Sequence, residues 1–425
     1  MQIDLEQFRK PCTCGKTHEI SVKGIWIDEG AVRHLYEMLT EEVELGTFIA
    51  PVIVWDENTR EAAETAMEDI ADICLEDICL ESEDLHANNQ GVAILDENLP
   101  EETDLLIAVG SGTIHDLCRY VAYHRGIPFV SVPTAASVDG FVSTVAAMTW
   151  NGMKKTMPAA APLYVFADTN IFKEAPYRLT ASGISDLLGK YIALADWKIA
   201  HLVTGEYLCQ ETCRLEYQAL EEVLSCINYL NRGDSEAYEK LMYALLLSGL
   251  AMQMIGNSRP ASCAEHHMSH LWEMEIINDH IDALHGEKVS VGMIQVRKRY
   301  ERIVNAIRDG RCKVKEYEGM EEQLLQRTFG AKGLYEQTLE ENTPDPMLLV
   351  SPFRLEEMLI PIADILDEIP SAKKLEKILK EADCCVSMEQ IGLTDALVED
   401  SLNLSPYVRN RLSFNRISKM LEYEV

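Results

Sequence analysis

Asp104-Leu105-Leu106-Ile107-Ala108-Val109-Gly110-Ser111-Gly112-Thr113-Ile114-His115-Asp116 is the stretch from which the fold is read. The five consecutive apolar residues from Leu105 to Val109 suit a strand buried on both faces, because a half-exposed strand alternates apolar with polar. The glycine pair marks a tight turn, and from Thr113 to about His124 the spacing becomes helical. A strand that hands over to a helix through glycines offers the helix's first N–H groups and its positive dipole end to a ligand. Gly110, Ser111 and Gly112 are therefore candidate holders of a pyrophosphate. The dinucleotide fingerprint is incomplete, because His115 stands at its third glycine position, and glycine pairs also make ordinary turns.

Similar units lie on either side. Phe48–Trp55 reads as a buried strand, Asp56-Glu57-Asn58-Thr59 as a polar loop and Glu61–Ile70 as a helix. Gly91-Val92-Ala93-Ile94-Leu95 reads as the start of a second strand unit, and Pro128–Val132 and Leu163–Ala167 as two more strands. The acidic segment Glu64–Glu83 reads as a solvated helix face. Strand–helix alternation implies a parallel sheet covered on both faces, with ligands at the carboxyl ends of its strands. Asp56 either bonds the ribose hydroxyls of an adenosine or serves as a turn residue. Pro133-Thr134-Ala135-Ala136-Ser137-Val138-Asp139-Gly140-Phe141 follows the next strand, where small residues admit a ligand and Thr134, Ser137 and Asp139 offer polar groups. Lys154 and Lys155 are either cofactor-phosphate contacts or a solvated pair.

After Thr169 the pattern is helical in Thr180–His201, Glu206–Asn231, Asp234–Ile255, Ser262–Glu275, Glu287–Ala306 and several segments beyond Arg354, with no comparable strand. The expected fold is α/β plus all-α. Residues 1–172 form a Rossmann-like, dinucleotide-binding parallel-sheet domain, residues 173–425 a helical metal-binding and catalytic domain, and the active site occupies the cleft between them.

Seventy acidic against 38 basic side chains give a formal charge of −32, which repels phosphate backbones and makes nucleic acid an improbable partner. The most apolar run, Leu241–Met252, is too short to span a bilayer. Met1-Gln2-Ile3-Asp4-Leu5-Glu6 has neither the basic nor the apolar part of a secretory signal, and the expectation is a cytoplasmic protein. Twelve cysteines are scattered along the chain, several inside apolar helical patterns such as Cys74, Cys118 and Cys226, which fits reduced thiols. Cys12-Thr13-Cys14-Gly15-Lys16-Thr17-His18 stands apart: it either seats a soft metal ion with His18 as a third ligand or makes a glycine-containing turn.

Ala264-Glu265-His266-His267-Met268-Ser269-His270 places His266 and His270 one turn apart on one helix face. A helical hairpin could return His285, which opens the next helix, to His266. Two neutral imidazoles ask for a hard, negative third ligand, and Asp186, the one carboxylate in the small-residue run Ala181–Tyr191, is the best candidate.

The ordered set Gly110-Ser111-Gly112-Thr113-Ile114-x-Asp116, Pro133-Thr134-Ala135-Ala136-Ser137-x-Asp139-Gly140, Gly183-x-x-Asp186-Leu187, Ser258-Arg259-Pro260-Ala261-Ser262-x-x-Glu265-His266-x-x-Ser269-His270 and His285-Gly286-Glu287 resembles the sn-glycerol-1-phosphate dehydrogenases, above all their bacterial branch. These sit in the superfamily of iron-containing alcohol dehydrogenases, glycerol dehydrogenases and dehydroquinate synthases. The match covers about residues 45 to 310. The resemblance implies one divalent metal, nickel or zinc, on Asp186, His266 and His285, with His266 preferred to His267. It also implies an NAD(P)H site that includes Asp56, Gly110, Ser111, Gly112, Thr113, Asp116, Thr134, Ser137 and Lys155, and a homo-oligomer, dimer or higher. Cys263 departs from an expected glycine.

The implied reaction is reversible reduction of dihydroxyacetone phosphate to sn-glycerol 1-phosphate, a small phosphorylated substrate. Proton transfer falls to a metal-bound water or His270. Asp139 is expected to orient substrate hydroxyls, and Arg259 and Lys190 to meet the phosphate. Glycerol dehydrogenase is one rival; a dehydroquinate-synthase-like cyclase is another, although the loop after Thr134 lacks that family's Val-Asp-Ser-Ser-Val-Gly-Gly-Lys type of sequence. A non-catalytic metal-sensing or scaffolding protein is the rival outside catalysis.

Overall fold

The computed structural model describes residues 3–41 and 44–423; Met1 and Gln2, which open the signal-peptide reading, lie outside them. The chain packs as two compact units. The first comprises Met1–Asn151, Lys155–Leu187 and Glu211–Ser258, and the second Gly152–Lys154, Leu188–Gln210 and Arg259–Val425.

The first unit is built on β1 (Gly24–Asp28), α1 (Val32–Thr40), β2 (Pro51–Asp56), α2 (Glu57–Ala71), β3 (Glu76–Leu80), α3 (Asn89–Asn98), β4 (Leu105–Gly110), α4 (Gly112–Arg125), β5 (Phe129–Pro133), β6 (Val145–Trp150), β7 (Met153–Pro158) from Lys155 onward and β8 (Tyr164–Asp168). Six strands form one sheet in the order β1-β8-β5-β4-β2-β3, and every neighbouring pair is parallel. β6 and β7 pair as a separate hairpin. All of β4 is buried, and its side chains alternate between two cores. Leu106 and Ala108 join Leu95, Leu117 and Val121 on one face, while Leu105, Ile107 and Val109 join Leu35, Trp55 and Met67 on the other. A strand covered on both faces is uniformly apolar for this reason.

Three local expectations are corrected. Gly91–Leu95 lies in helix α3, because the Asn88 side chain caps Gln90 and Gly91 N–H groups and starts a helix whose buried residues are Gly91 and Leu95, four apart. The acidic segment Glu64–Glu83 is divided between α2 and β3. β3 is an edge strand, in which exposed Glu76 and half-buried Asp77 precede buried Ile78 and Leu80, an acidic composition that resembles a polar helix face. Strands also occur after Thr169: β9 (Cys312–Val314) and β10 (Leu421–Tyr423) pair antiparallel.

Beyond β8 the chain is otherwise helical. α5 (Thr169–Phe172) leads to α6 (Tyr177–Thr204), which passes from the first unit into the second. α7 (Gln210–Leu230) and α8 (Ser235–Ile255) belong to the first unit from Glu211 onward, and α9 (Ala264–Glu273) and α10 (His285–Arg308) to the second. Short helices follow, and Leu271, Met274, Phe329 and Tyr407 share a core. Among the described residues no helix is long and apolar enough to cross a membrane.

Candidate active site

In the first unit the loops after β4 and β5 meet at the carboxyl edge of the sheet. Thr134 N–H donates to the Gly110 carbonyl at 2.9 Å, and the Ser111 and Ser137 hydroxyls are 2.7 Å apart. Gly110 is required by closeness: a Cβ there would stand 2.6 Å from the Cβ of Ile114. Ser111 is the N-cap of α4 without a capping side-chain bond, so the first amides of a 14-residue helix face the loop. Thr113 stands in that first turn, and Asp116, one turn on, lies 3.5 Å from the Arg119 guanidinium.

His115 is part of the scaffold. Its Nδ1 lies 2.9 Å from the Ser111 carbonyl, which can only accept, so Nδ1 carries the proton and Nε2 accepts from the Ser131 hydroxyl at 2.6 Å. Burial, reinforced by the Arg119 charge, lowers its pKa to about 3, and the ring is neutral. Arg119, which sequence reasoning missed, is fully buried and donates to the carbonyls of Phe141, Ser143 and Val145, bracing the chain just after Asp139. Asp56 caps α2 reciprocally with Thr59, which is the turn role left open above.

Asp139 and Asp186 come together. Asp139 N–H donates to Asp186 Oδ2 at 3.0 Å, and Asp139 Oδ2 accepts from the Ser248 hydroxyl at 2.8 Å, itself 3.1 Å from Glu216 Oε1. Asp186 is 1 % exposed. The small residues of both segments have one cause: a Cβ at Gly183 would sit 2.1 Å from the Ala136 carbonyl oxygen, so nothing larger than glycine lets α6 approach the loop.

In the second unit three imidazoles converge. Ring centroids are 5.2 Å apart for His266 and His285, 5.5 Å for His270 and His285, and 6.0 Å for His266 and His270. His266 donates from Nδ1 to Glu265 Oε1 at 2.7 Å, which fixes the tautomer with Nε2 as the acceptor nitrogen. Glu265 is fully buried and also takes the Cys263 N–H at 2.9 Å. Glu273 accepts from His285 Nδ1 at 2.8 Å and His270 Nδ1 at 3.1 Å, and pairs with Lys154 at 3.0 Å. Burial works to raise the Glu273 pKa, but Lys154, Lys288, His285 and His270 together hold it well below the carboxylate range. His270, Glu273 and His285 also present three donor atoms within 4.8 Å of one another. His267 is buried with neither nitrogen hydrogen-bonded among the described residues, and burial with the nearby Arg411 charge keeps it neutral.

Arg259, expected to meet the substrate phosphate, is clamped within the fold. Its guanidinium is 4 % exposed and donates to Glu206 Oε1 at 2.7 Å, Cys263 Sγ at 3.0 Å and the Leu412 carbonyl at 2.8 Å, which commits Nε, Nη1 and Nη2 within the fold. Lys190 is fully buried on α6, one turn past Asp186. Lys154 rather than Lys155 makes the ion pair with Glu273. Arg409, carrying no motif, has Nη1 on the Lys154 carbonyl and Nη2 buried without a hydrogen-bond partner among the described residues; its charge acts on both His270 and Glu273. Glu273 had a signal, the His-x-x-Glu spacing from His270; Arg409 had none.

Residues 26–176 match the family model described as iron-containing alcohol dehydrogenase. The glycerol-1-phosphate dehydrogenase [NAD(P)+] of Geobacillus stearothermophilus is 32% identical over 98% of this chain and 96% of its own length. That of Bacillus licheniformis is 37% identical over 69% of this chain and 75% of its own. Among solved structures, the NADH-dependent butanol dehydrogenase A of Thermotoga maritima superposes with a TM-score of 0.62 at 13% identity, covering 94% of this chain and 92% of that one, a likeness of fold.

Proposed function

Because the chain belongs to the glycerol-1-phosphate dehydrogenase family, we propose that it catalyses the reversible NAD(P)H-dependent reduction of dihydroxyacetone phosphate to sn-glycerol 1-phosphate at a site holding one divalent metal. The observation that carries the reading is the pairing of His266 Nδ1 with Glu265, which orients an imidazole as a metal ligand is oriented, beside His285.

Asp186 is the third ligand in this reading, the one that the resemblance of Gly183-x-x-Asp186-Leu187 implies. Two nitrogens and one oxygen suit nickel or zinc. The bound ion would supply Lewis acidity at the ketone oxygen, and the reduced nicotinamide the hydride.

The remaining work belongs to the chain. The α4 N-terminus with Ser111, Gly112 and Thr113 receives the cofactor's pyrophosphate, Thr134 and Ser137 line its approach, and Asp56 takes the ribose. Asp116 and Lys155 complete the cofactor side. Asp139 orients substrate hydroxyls. His270 exchanges the proton with the substrate oxygen through Nε2, since Nδ1–H is turned to Glu273, whose carboxylate stabilises the imidazolium. Arg409 and Lys154 take the place assigned to Arg259 as cations for the phosphate, with Lys190 beside Asp186 as a further one. A cytoplasmic homo-oligomer completes the proposal, on family membership alone.

A second reading has His270, Glu273 and His285 as the metal ligands, favoured by their mutual proximity. The ion pairs of Glu273 with Lys154 and Lys288 weigh against it, because those cations already neutralise the carboxylate. The test of function is NAD(P)H oxidation with dihydroxyacetone phosphate and with unphosphorylated dihydroxyacetone in parallel. Preference for the phosphate ester supports the proposal; equal or greater turnover of the unphosphorylated ketone indicates a glycerol dehydrogenase.

A further inference from the structure

We propose that Cys12, Cys14 and His18 hold a thiolate-preferring divalent cation of the zinc class, separate from the dehydrogenase centre. The turn around Cys12 is built for it. Cys12 N–H donates to the Lys16 carbonyl at 2.9 Å, Gly15 N–H to the Cys12 carbonyl at 3.0 Å, and Pro11 bridges Thr17. Gly15 turns the chain at a φ of +86°, a left-handed conformation in which a side chain is strained. The result brings the sulphurs of Cys12 and Cys14 and an imidazole nitrogen of His18 within 4.8 Å of one another. The two cysteines carry thiols, not a disulfide.

His18 shows the orientation of a ligand. Its Nδ1 lies 2.6 Å from the Met254 carbonyl, which can only accept, so the proton is on Nδ1 and the Nε2 lone pair is directed at Cys14 Sγ, 3.4 Å away. Zinc bonds of about 2.3 Å to sulphur and about 2.0 Å to nitrogen in a tetrahedron set those atoms about 3.5 Å apart. Two thiolates and one imidazole supplied by a single turn make a soft donor set of the zinc class. Ser21 N–H also donates to the Gln253 side chain at 2.9 Å, so the ion would pin the amino-terminal segment to the last turn of α8.

The experiment measures zinc per chain by plasma mass spectrometry in the full-length protein and in Cys12→Ser, Cys14→Ser and Cys312→Ser. The first two variants should each lose one equivalent of zinc per chain, and Cys312→Ser none. Cobalt loaded into a His285→Ala background should give a sulphur-to-cobalt charge-transfer band that Cys14→Ser abolishes. Should the cysteine variants fail to fold, a thiol-specific mercurial titrated into the wild-type chain should release one zinc as two thiols react. Unchanged zinc in Cys14→Ser, a cobalt spectrum without thiolate character, or thiol titration without zinc release each overturns the site.

Discussion

His266 and Glu265 are adjacent in sequence, yet the carboxylate folds back to accept the imidazole Nδ1 proton at 2.7 Å inside a fully buried pocket. A carboxylate in that position fixes the tautomer and raises the basicity of Nε2. Glu265→Gln should therefore weaken metal binding about 10- to 100-fold, read by chelator competition, while the far-ultraviolet spectrum of the apoprotein stays that of the parent. Unchanged affinity would remove the pairing from the site.

Glu273 separates the two ligand readings. If Asp186, His266 and His285 hold the ion, Glu273→Gln and His270→Ala should retain it and lose about 100-fold or more in turnover, the loss expected when proton transfer is impaired. Loss of bound metal in both variants would favour the alternative set of His270, Glu273 and His285.

Arg409 and Arg259 should respond oppositely. Arg409→Met removes a cation placed near His270 and Glu273 and should raise the KM for dihydroxyacetone phosphate about 10- to 100-fold with little change in unfolding midpoint. Arg259→Met breaks the clamp to Glu206, Cys263 and Leu412 and should cost about 2 kcal/mol in stability, the partial exposure of Glu206 having been allowed for. A KM effect confined to Arg259→Met would reverse the assignment.

Acid should unfold the chain partly through His115. The folded ring resists protonation down to about pH 3, whereas the unfolded ring takes up a proton below the ordinary imidazole value of 6.5. The unfolded state thus binds more protons between those limits, and stability falls with pH across that window on the order of 1.4 kcal/mol per pH unit. Denaturation of wild type and His115→Gln at a series of pH values should show their stability difference shrinking toward acid. Parallel profiles would exclude His115 as the source.

Legibility in the sequence followed the physics of each segment. β4 and the glycine turn into α4 were readable because a strand buried on both faces must be apolar throughout and Gly110 leaves no room for a Cβ. α3 was misread because five apolar residues satisfy either period, and the Asn88 cap settled the matter. β3 was missed because an edge strand exposing acids has the composition of a helix face. His266, His270 and His285 were legible as a motif, since two imidazoles one turn apart are followed by a third at the start of the next helix. The groups that tune them were less visible. Lys154 looked like half of a solvated pair, and Arg409 reaches Lys154 only through tertiary packing that no local pattern announces.

The most direct test is NADH or NADPH oxidation by the chelated protein with dihydroxyacetone phosphate, before and after one equivalent of nickel or zinc is restored, in the wild type and in Asp186→Ala, His266→Ala and His285→Ala. The account predicts turnover that vanishes on chelation, returns with the ion in the wild type and returns in none of the three variants. Full activity in the chelated wild type, or recovery in all three variants, would contradict it.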